Sequence, residues 1–219
     1  MNEDSAVSRR PLKSRSSAWA GQFSRFLLGV GLKPNTVSLL SVGCAGIGGA
    51  SAWMATQSTL GWFWWIVAAA GIQLRLVCNL MDGLLAVEGG LKSPTGELFN
   101  EIPDRVADLL VLVPLGYATG TAWGIGLGWS AGAGAILTAY IRALGASLTG
   151  QQDFCGPMAK PQRMAAATVA CLGMLVLGLL QLSWPLLVLM LVVVNLGIVM
   201  TAWRRIVRMG GILNASKAG

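Results

Sequence analysis

The chain reads as an all-α integral membrane protein, with six transmembrane helices preceded by a cytoplasmic interfacial amphipathic helix. Three observations predict this. Of the 219 residues, 54% are hydrophobic and 11% are charged, and the mean hydropathy is +0.64. Apolar runs of about 20 residues, enough to cross a hydrocarbon core, recur at 37–57, 61–86, 98–119, 123–148, 163–182 and 183–206. The cations are also sorted. The connections near 57–61, 119–123 and 182–184 hold no Lys or Arg. The N-terminal segment, the 87–97 and 149–163 loops, the C-terminal tail and the adjoining helix ends hold all sixteen except Arg75. By the positive-inside rule both termini and these two loops face the cytoplasm.

Composition also excludes. A spanning β-barrel needs short alternating segments, and none are visible. A net charge of +7 placed beside apolar spans points to membrane lipids as partners and not to nucleic acid. There is no histidine, and the four cysteines (Cys44, Cys78, Cys155, Cys171) form no CxxC pair. That removes a zinc site and a Cys/His nucleophile.

Taken in order, residues 1–15 are polar and basic and are expected to be disordered. Residues 16–32 place Trp19, Phe23, Phe26, Leu27 and Val30 on one helical face, Arg25 off it, with Ser16 or Ser17 as cap. This is the interfacial helix. The transmembrane catalytic domain covers 33–208. Pro34 and Asn35 break the preceding helix, and Thr36 or Ser38 is available to begin the first span. The second span opens on Trp62 to Trp65, an aromatic belt at the far interface, and ends with Arg75, Asn79, Asp82 and Gly83. The fourth carries Gly124, Gly128 and Gly132 at four-residue intervals, a small face for close packing inside the bundle or between protomers, the former favoured. Arg204, Arg205 and Arg208 read as anchors, and 209–219 as a cytoplasmic tail. No internal repeat is evident, which weakens a transporter reading.

Residues 78–108 hold six of the nine acids: Asp82, Glu88, Glu97, Glu101, Asp104 and Asp108. Asn79, Asp82 and Ala86 fall at i, i+3 and i+7 on one helix face, with Arg75 one turn earlier. Asn100, Asp104 and Asp108 fall at i, i+4 and i+8 on the next. The Gly-, Pro- and Ser-containing stretch between them turns the chain, so two antiparallel helices present oxygen ligands to each other. Carboxylates and amide oxygens suit Mg²⁺ or Mn²⁺ shared with substrate phosphates. Gly83 and Gly96 let a nucleotide approach the backbone. Arg142, Lys160 and Arg163 are placed to grip an anionic acceptor. Lys160 and Arg163 fit equally well as anchors snorkelling to headgroups.

The stretch resembles the signature of the CDP-alcohol phosphotransferase family, D-x2-D-G-x2-A-R-x8-G-x3-D-x3-D. Laid on without a gap, Asn79 takes the first Asp position and Asp82-Gly83 the second with its Gly. Ala86 matches, Val87 replaces Arg, Gly96 matches, Asn100 takes the third Asp position and Asp104 the fourth. "PNTVSLL", "AYIRALGAS" and "AKPQRM" are similar to further family segments. The resemblance implies transfer of a phosphatidyl-type group from a CDP-linked lipid, most simply CDP-diacylglycerol, to a polar acceptor alcohol, with release of CMP. It further implies a homodimer in the bacterial inner membrane with a cytoplasmic active site. Carried over, Asn79, Asp82 and Asn100 are metal ligands and Asp104 is the general base. Gly83, Ala86 and Gly96 lie at the nucleotide. The two asparagines remove two negative charges, for which Glu101 and Asp108 are the candidate substitutes. The same two residues raise the alternative of an inactive member that binds CDP-lipid or metal without turnover.

Overall fold

A computed structural model describes residues 18–91 and 95–215. Ser16, Ser17, the basic N-terminus and the last residues of the tail lie outside them. The described residues form seven α-helices: α1 (Ala18–Gly29), α2 (Pro34–Met54), α3 (Gly61–Glu88), α4 (Gly96–Tyr117), α5 (Ala122–Thr149), α6 (Lys160–Leu179) and α7 (Leu186–Ala215). Five of these, α2, α3, α5, α6 and α7, are long and apolar enough to cross a membrane, and the chain is an integral membrane protein on that pattern. The expected third span is α4, which is not among the five. Glu97, Glu101, Asp104 and Arg105 lie in its first half and Asp108 just past its middle.

Local signals place the ends. Pro34 stands in the first turn of α2, where its missing N–H has no helical partner to lose. Neither Thr36 nor Ser38 caps that helix; Lys33 holds the cap position without a side-chain bond, and Ser38 is used elsewhere. Thr121 caps α5 by accepting from the Gly124 N–H at 3.0 Å. Gly150 ends α5 in the left-handed conformation, φ 69°. The boundary expected at residue 208 is not a break, because α7 continues through Gly210 and Gly211 to Ala215.

Helices α2 to α7 close into a ring in which α2 touches α3, α3 touches α6, α6 touches α7, α7 touches α5, α5 touches α4 and α4 touches α2; α1 lies on α3. Small residues set the close approaches. A Cβ on Gly71 would sit 2.8 Å from the Gly48 Cα, and one on Gly128 2.8 Å from the Gly116 Cα. The glycine stripe of α5 is therefore spent inside the bundle, against α4. Pro114 lacks the N–H that would bond the Leu110 carbonyl, and that carbonyl faces Gly49 of α2. A Cβ at Gly49 would lie 1.8 Å from the Leu110 oxygen.

The two ends of the ring differ in chemistry. One gathers Trp53, Trp62, Trp123 and Trp184, all exposed. The other gathers the acids and their cations. Trp65, unlike Trp62, turns inward to the core. On α1, Trp19, Phe23, Phe26 and Val30 are exposed, while Ala20 and Ser24 are buried.

Candidate active site

The site sits inside the charged end of the ring, where α3, α4 and α6 face one another and α2 closes one side. Burial is tolerable here because nearly every charge has a partner. The deepest group is Asp108, fully buried. Its Oδ1 accepts from Arg75 Nη2 at 2.7 Å and its Oδ2 from Arg163 Nη2 at 2.7 Å. Arg75 is itself fully buried and reaches the Asp104 carbonyl at 3.3 Å, while Arg163 also donates to the Met158 carbonyl at 3.0 Å. One carboxylate thus ties α3 and α6 to α4. Both Asp108 oxygens are thus engaged by guanidinium groups, and Arg163, 2% exposed, is turned inward.

One turn nearer the charged end, Asp104 is buried. Its Oδ1 accepts from Asn79 Nδ2 at 2.9 Å, and its Oδ2 pairs with Lys160 Nζ. Arg105 Nη2 stands 3.7 Å from the same oxygen. The asparagine predicted as a ligand thus donates its amide to the predicted base and leaves its carbonyl as the only ligating atom.

Asp82 differs from its neighbours. It is 4% exposed, its Oδ2 accepts from Ser38 Oγ at 2.7 Å, and its Oδ1 is buried with no hydrogen-bond partner. Among the described residues no Lys or Arg stands within ion-pair distance of it. Asp104 and Lys160 are near enough for their charges to act on it. Ser38 was placed by the sequence at a helix start; its pairing with residue 82 had no local signal.

Glu101 is held by Arg142 and, at 3.5 Å, by Arg105, so it too is committed. Asn100 is exposed one turn before Asp104, and Gly83, Ala86 and Gly96 are half-buried on the two helices. Arg142 lies 5.4 Å over the Phe154 ring and lines a cleft with Thr149, Gln151, Asp153, Arg205 and Arg208. Arg205 is not the free anchor that the sequence indicates. It is buried and donates to the Thr138 carbonyl at 2.6 Å and the Cys155 carbonyl at 3.0 Å, pinning the loop between α5 and α6 to α7. In that loop, burial and the bond to Asp153 push the Cys155 thiol up, keeping it protonated and unreactive.

The oxygen ligands present are of the kind that suits a divalent ion. Among the described residues no three of His, Cys, Asp and Glu converge, and the orphaned oxygen of Asp82 is the one carboxylate atom there that is buried and without a partner. Asp104 and the Asn79 carbonyl lie on the same wall.

No family model matches the chain. It is 37% identical over 117 residues to the bifunctional IPC transferase and DIPP synthase of Rubrobacter xylanophilus, over 53% of this chain; the chain spans about a quarter of that curated relative's length. Three structures of the Mycobacterium tuberculosis phosphatidylinositol phosphate synthase are similar at 19% identity. The one with CDP-DAG bound has a TM-score of 0.71 and covers 88% of this chain and 94% of its own. The complex with manganese and citrate also scores 0.71, with coverages of 87% and 88%. The apo form scores 0.67, with coverages of 84% and 93%. The closed ring of helices has the same fold as the mycobacterial phosphatidylinositol phosphate synthase.

Proposed function

We propose that the chain is a divalent-metal-dependent CDP-alcohol phosphotransferase of phospholipid biosynthesis. It transfers a phosphatidyl-type group from a CDP-linked lipid to an acceptor alcohol and releases CMP. The observation that carries this reading is the pair Asp82 and Asp104. Two buried carboxylates, one with a free oxygen, stand on facing helices in a fold shared with a synthase whose structure contains CDP-DAG.

In this reading Asp82 holds the ion, with the Asn79 carbonyl and Asp104 beside it and Asn100 at the mouth. When bound, Mg²⁺ or Mn²⁺ neutralises the diphosphate and the departing CMP. Asp104 takes the proton of the acceptor hydroxyl as its oxygen forms the new bond to the phosphorus that bears the lipid. The bond from that phosphorus to the CMP oxygen breaks. Gly83, Ala86 and Gly96 leave room for the nucleotide. Arg142 and the basic cleft beside it receive the polar acceptor. The lipid donor arrives sideways from the bilayer, and the acceptor from the cytoplasm. On this reading α4 is the sixth span, α1 lies in the interface with its exposed aromatic face in lipid, and both termini are cytoplasmic at a bacterial inner membrane. A homodimer would form on some face other than the α5 glycine stripe.

The test is CMP release from CDP-diacylglycerol in lipid nanodiscs, with Mn²⁺ or Mg²⁺ and a panel of phosphorylated and neutral alcohols. Acceptor-dependent release that Asp104→Asn abolishes supports the transferase. A second reading, an inactive relative that binds CDP-lipid without turnover, draws on Asn79, Asn100 and the occupied Asp104. It predicts donor binding with no CMP release under any acceptor, and release only once aspartates are restored at 79 and 100.

A further inference from the structure

Of the four carboxylates Asp82, Glu101, Asp104 and Asp108, three carry cations of the chain itself. Asp108 holds Arg75 and Arg163, Glu101 holds Arg105 and Arg142, and Asp104 holds Lys160, with Arg105 at 3.7 Å and Arg75 at 3.8 Å behind it. Asp82 has only Ser38, and one of its oxygens is buried and unpartnered. The two positions that would add negative charge for a second ion are the amides Asn79 and Asn100. Asn79 points its donor end at Asp104, which leaves a cation on that side fewer anionic ligands still.

We infer that this chain binds a single divalent cation, on Asp82, and that the Lys160 ammonium stands against Asp104 as a built-in replacement for a second one. This rests on the proposed reading of the site as a metal-assisted phosphotransferase. The physical reason is charge matching. Two dications beside Asp82 and Asp104 alone would leave a large positive excess in a low-dielectric enclosure. One dication and one ammonium leave much less. Lys160 suits the task. It begins α6, beside α3 in the ring, and its side chain is 23% exposed, so the stem reaches inward from the mouth of the site. A monovalent cation with three donors neutralises Asp104 without demanding the octahedral shell that Mg²⁺ does. Lys160 is then a positioning residue: it sets how many ions the site takes, and it is not the group that grips the acceptor.

The experiment is Mn²⁺ binding to the full chain in phosphatidylcholine nanodiscs, with no CDP-lipid or acceptor present, read as bound ions per chain by electron paramagnetic resonance. The wild type is expected to take one ion. Lys160→Met should bind Mn²⁺ about tenfold more tightly, because a like charge leaves the site, and Lys160→Arg should stay near the wild-type affinity. The triple variant Asn79→Asp, Asn100→Asp, Lys160→Met should take two. Two ions or none in the wild type, Mn²⁺ binding that Lys160→Met leaves unchanged or weakens, or a triple variant still limited to one, would each overturn the inference. The wild-type stoichiometry needs no variant to fold. Because nothing is turned over, absent CMP release with one bound ion and a tighter Lys160→Met would sink the transferase reading and leave this one standing.

Discussion

At the scale of single residues, three aspartates of similar burial behave differently because of what touches them. Asp108 is a structural clamp, Asp104 a paired carboxylate at the site, and Asp82 a carboxylate with an oxygen to spare. Asp108→Asn removes the anion that bridges two buried guanidinium groups, so about 3–5 kcal/mol of stability should be lost. A drop in the thermal unfolding midpoint in detergent checks it, and an unchanged midpoint would refute the clamp. Asp104→Asn should instead keep the fold and lower acceptor-dependent CMP release by at least about a hundredfold, the usual worth of a general base. Spacing alone placed Asp104 and Asp108 on one face of one helix, and facing Asn79 and Asp82, because i, i+4 and i, i+3 arithmetic is local. It could not distinguish the free acid from the locked one. The partners that decide this, Ser38, Lys160 and Arg163, lie 44 to 56 residues away, and no period links them.

At the scale of elements, helix existence was legible from apolar runs, and most ends fall within a few residues of those expected. The differences have physical causes. α4 is less apolar than the other expected spans because its acids are matched by cations on α3 and α6. Arg205 looked like one of three anchors because its bonds to carbonyls of residues 138 and 155 leave no trace in sequence. The α2–α4 approach was also invisible, since it needs a proline on one helix and a glycine on the other. Gly49→Ala should therefore be costly out of proportion to its size. The added methyl would fall on the Leu110 carbonyl, and overpacking of this kind costs about 1–3 kcal/mol. Gly43→Ala, where a Cβ meets nothing within 4 Å, is the control. Yield of monodisperse protein and unfolding midpoint, compared between the two variants, decide the matter.

At the scale of the whole molecule, tryptophans collect at one end of a closed ring and ion pairs at the other. An orientation prediction follows from the sorted cations. In a cysteine-free background, a cysteine at Ser58 should react with an impermeant maleimide added outside intact cells, and one at Gly210 only after permeabilisation. The reverse pattern would invert the topology. The ring also bears on how the chain is made. The acid at the heart of α4 is neutralised by Arg75, already synthesised, and by Arg163, which leaves the ribosome 55 residues later. A helix with five charges between residues 97 and 108 has little reason to enter lipid alone. During synthesis α4 should therefore wait at the translocon or the membrane edge until α6 emerges, and the two should be integrated together. In nascent chains truncated before residue 160, a cysteine introduced midway along α4 should be open to an aqueous maleimide, and in chains extended past α6 it should not.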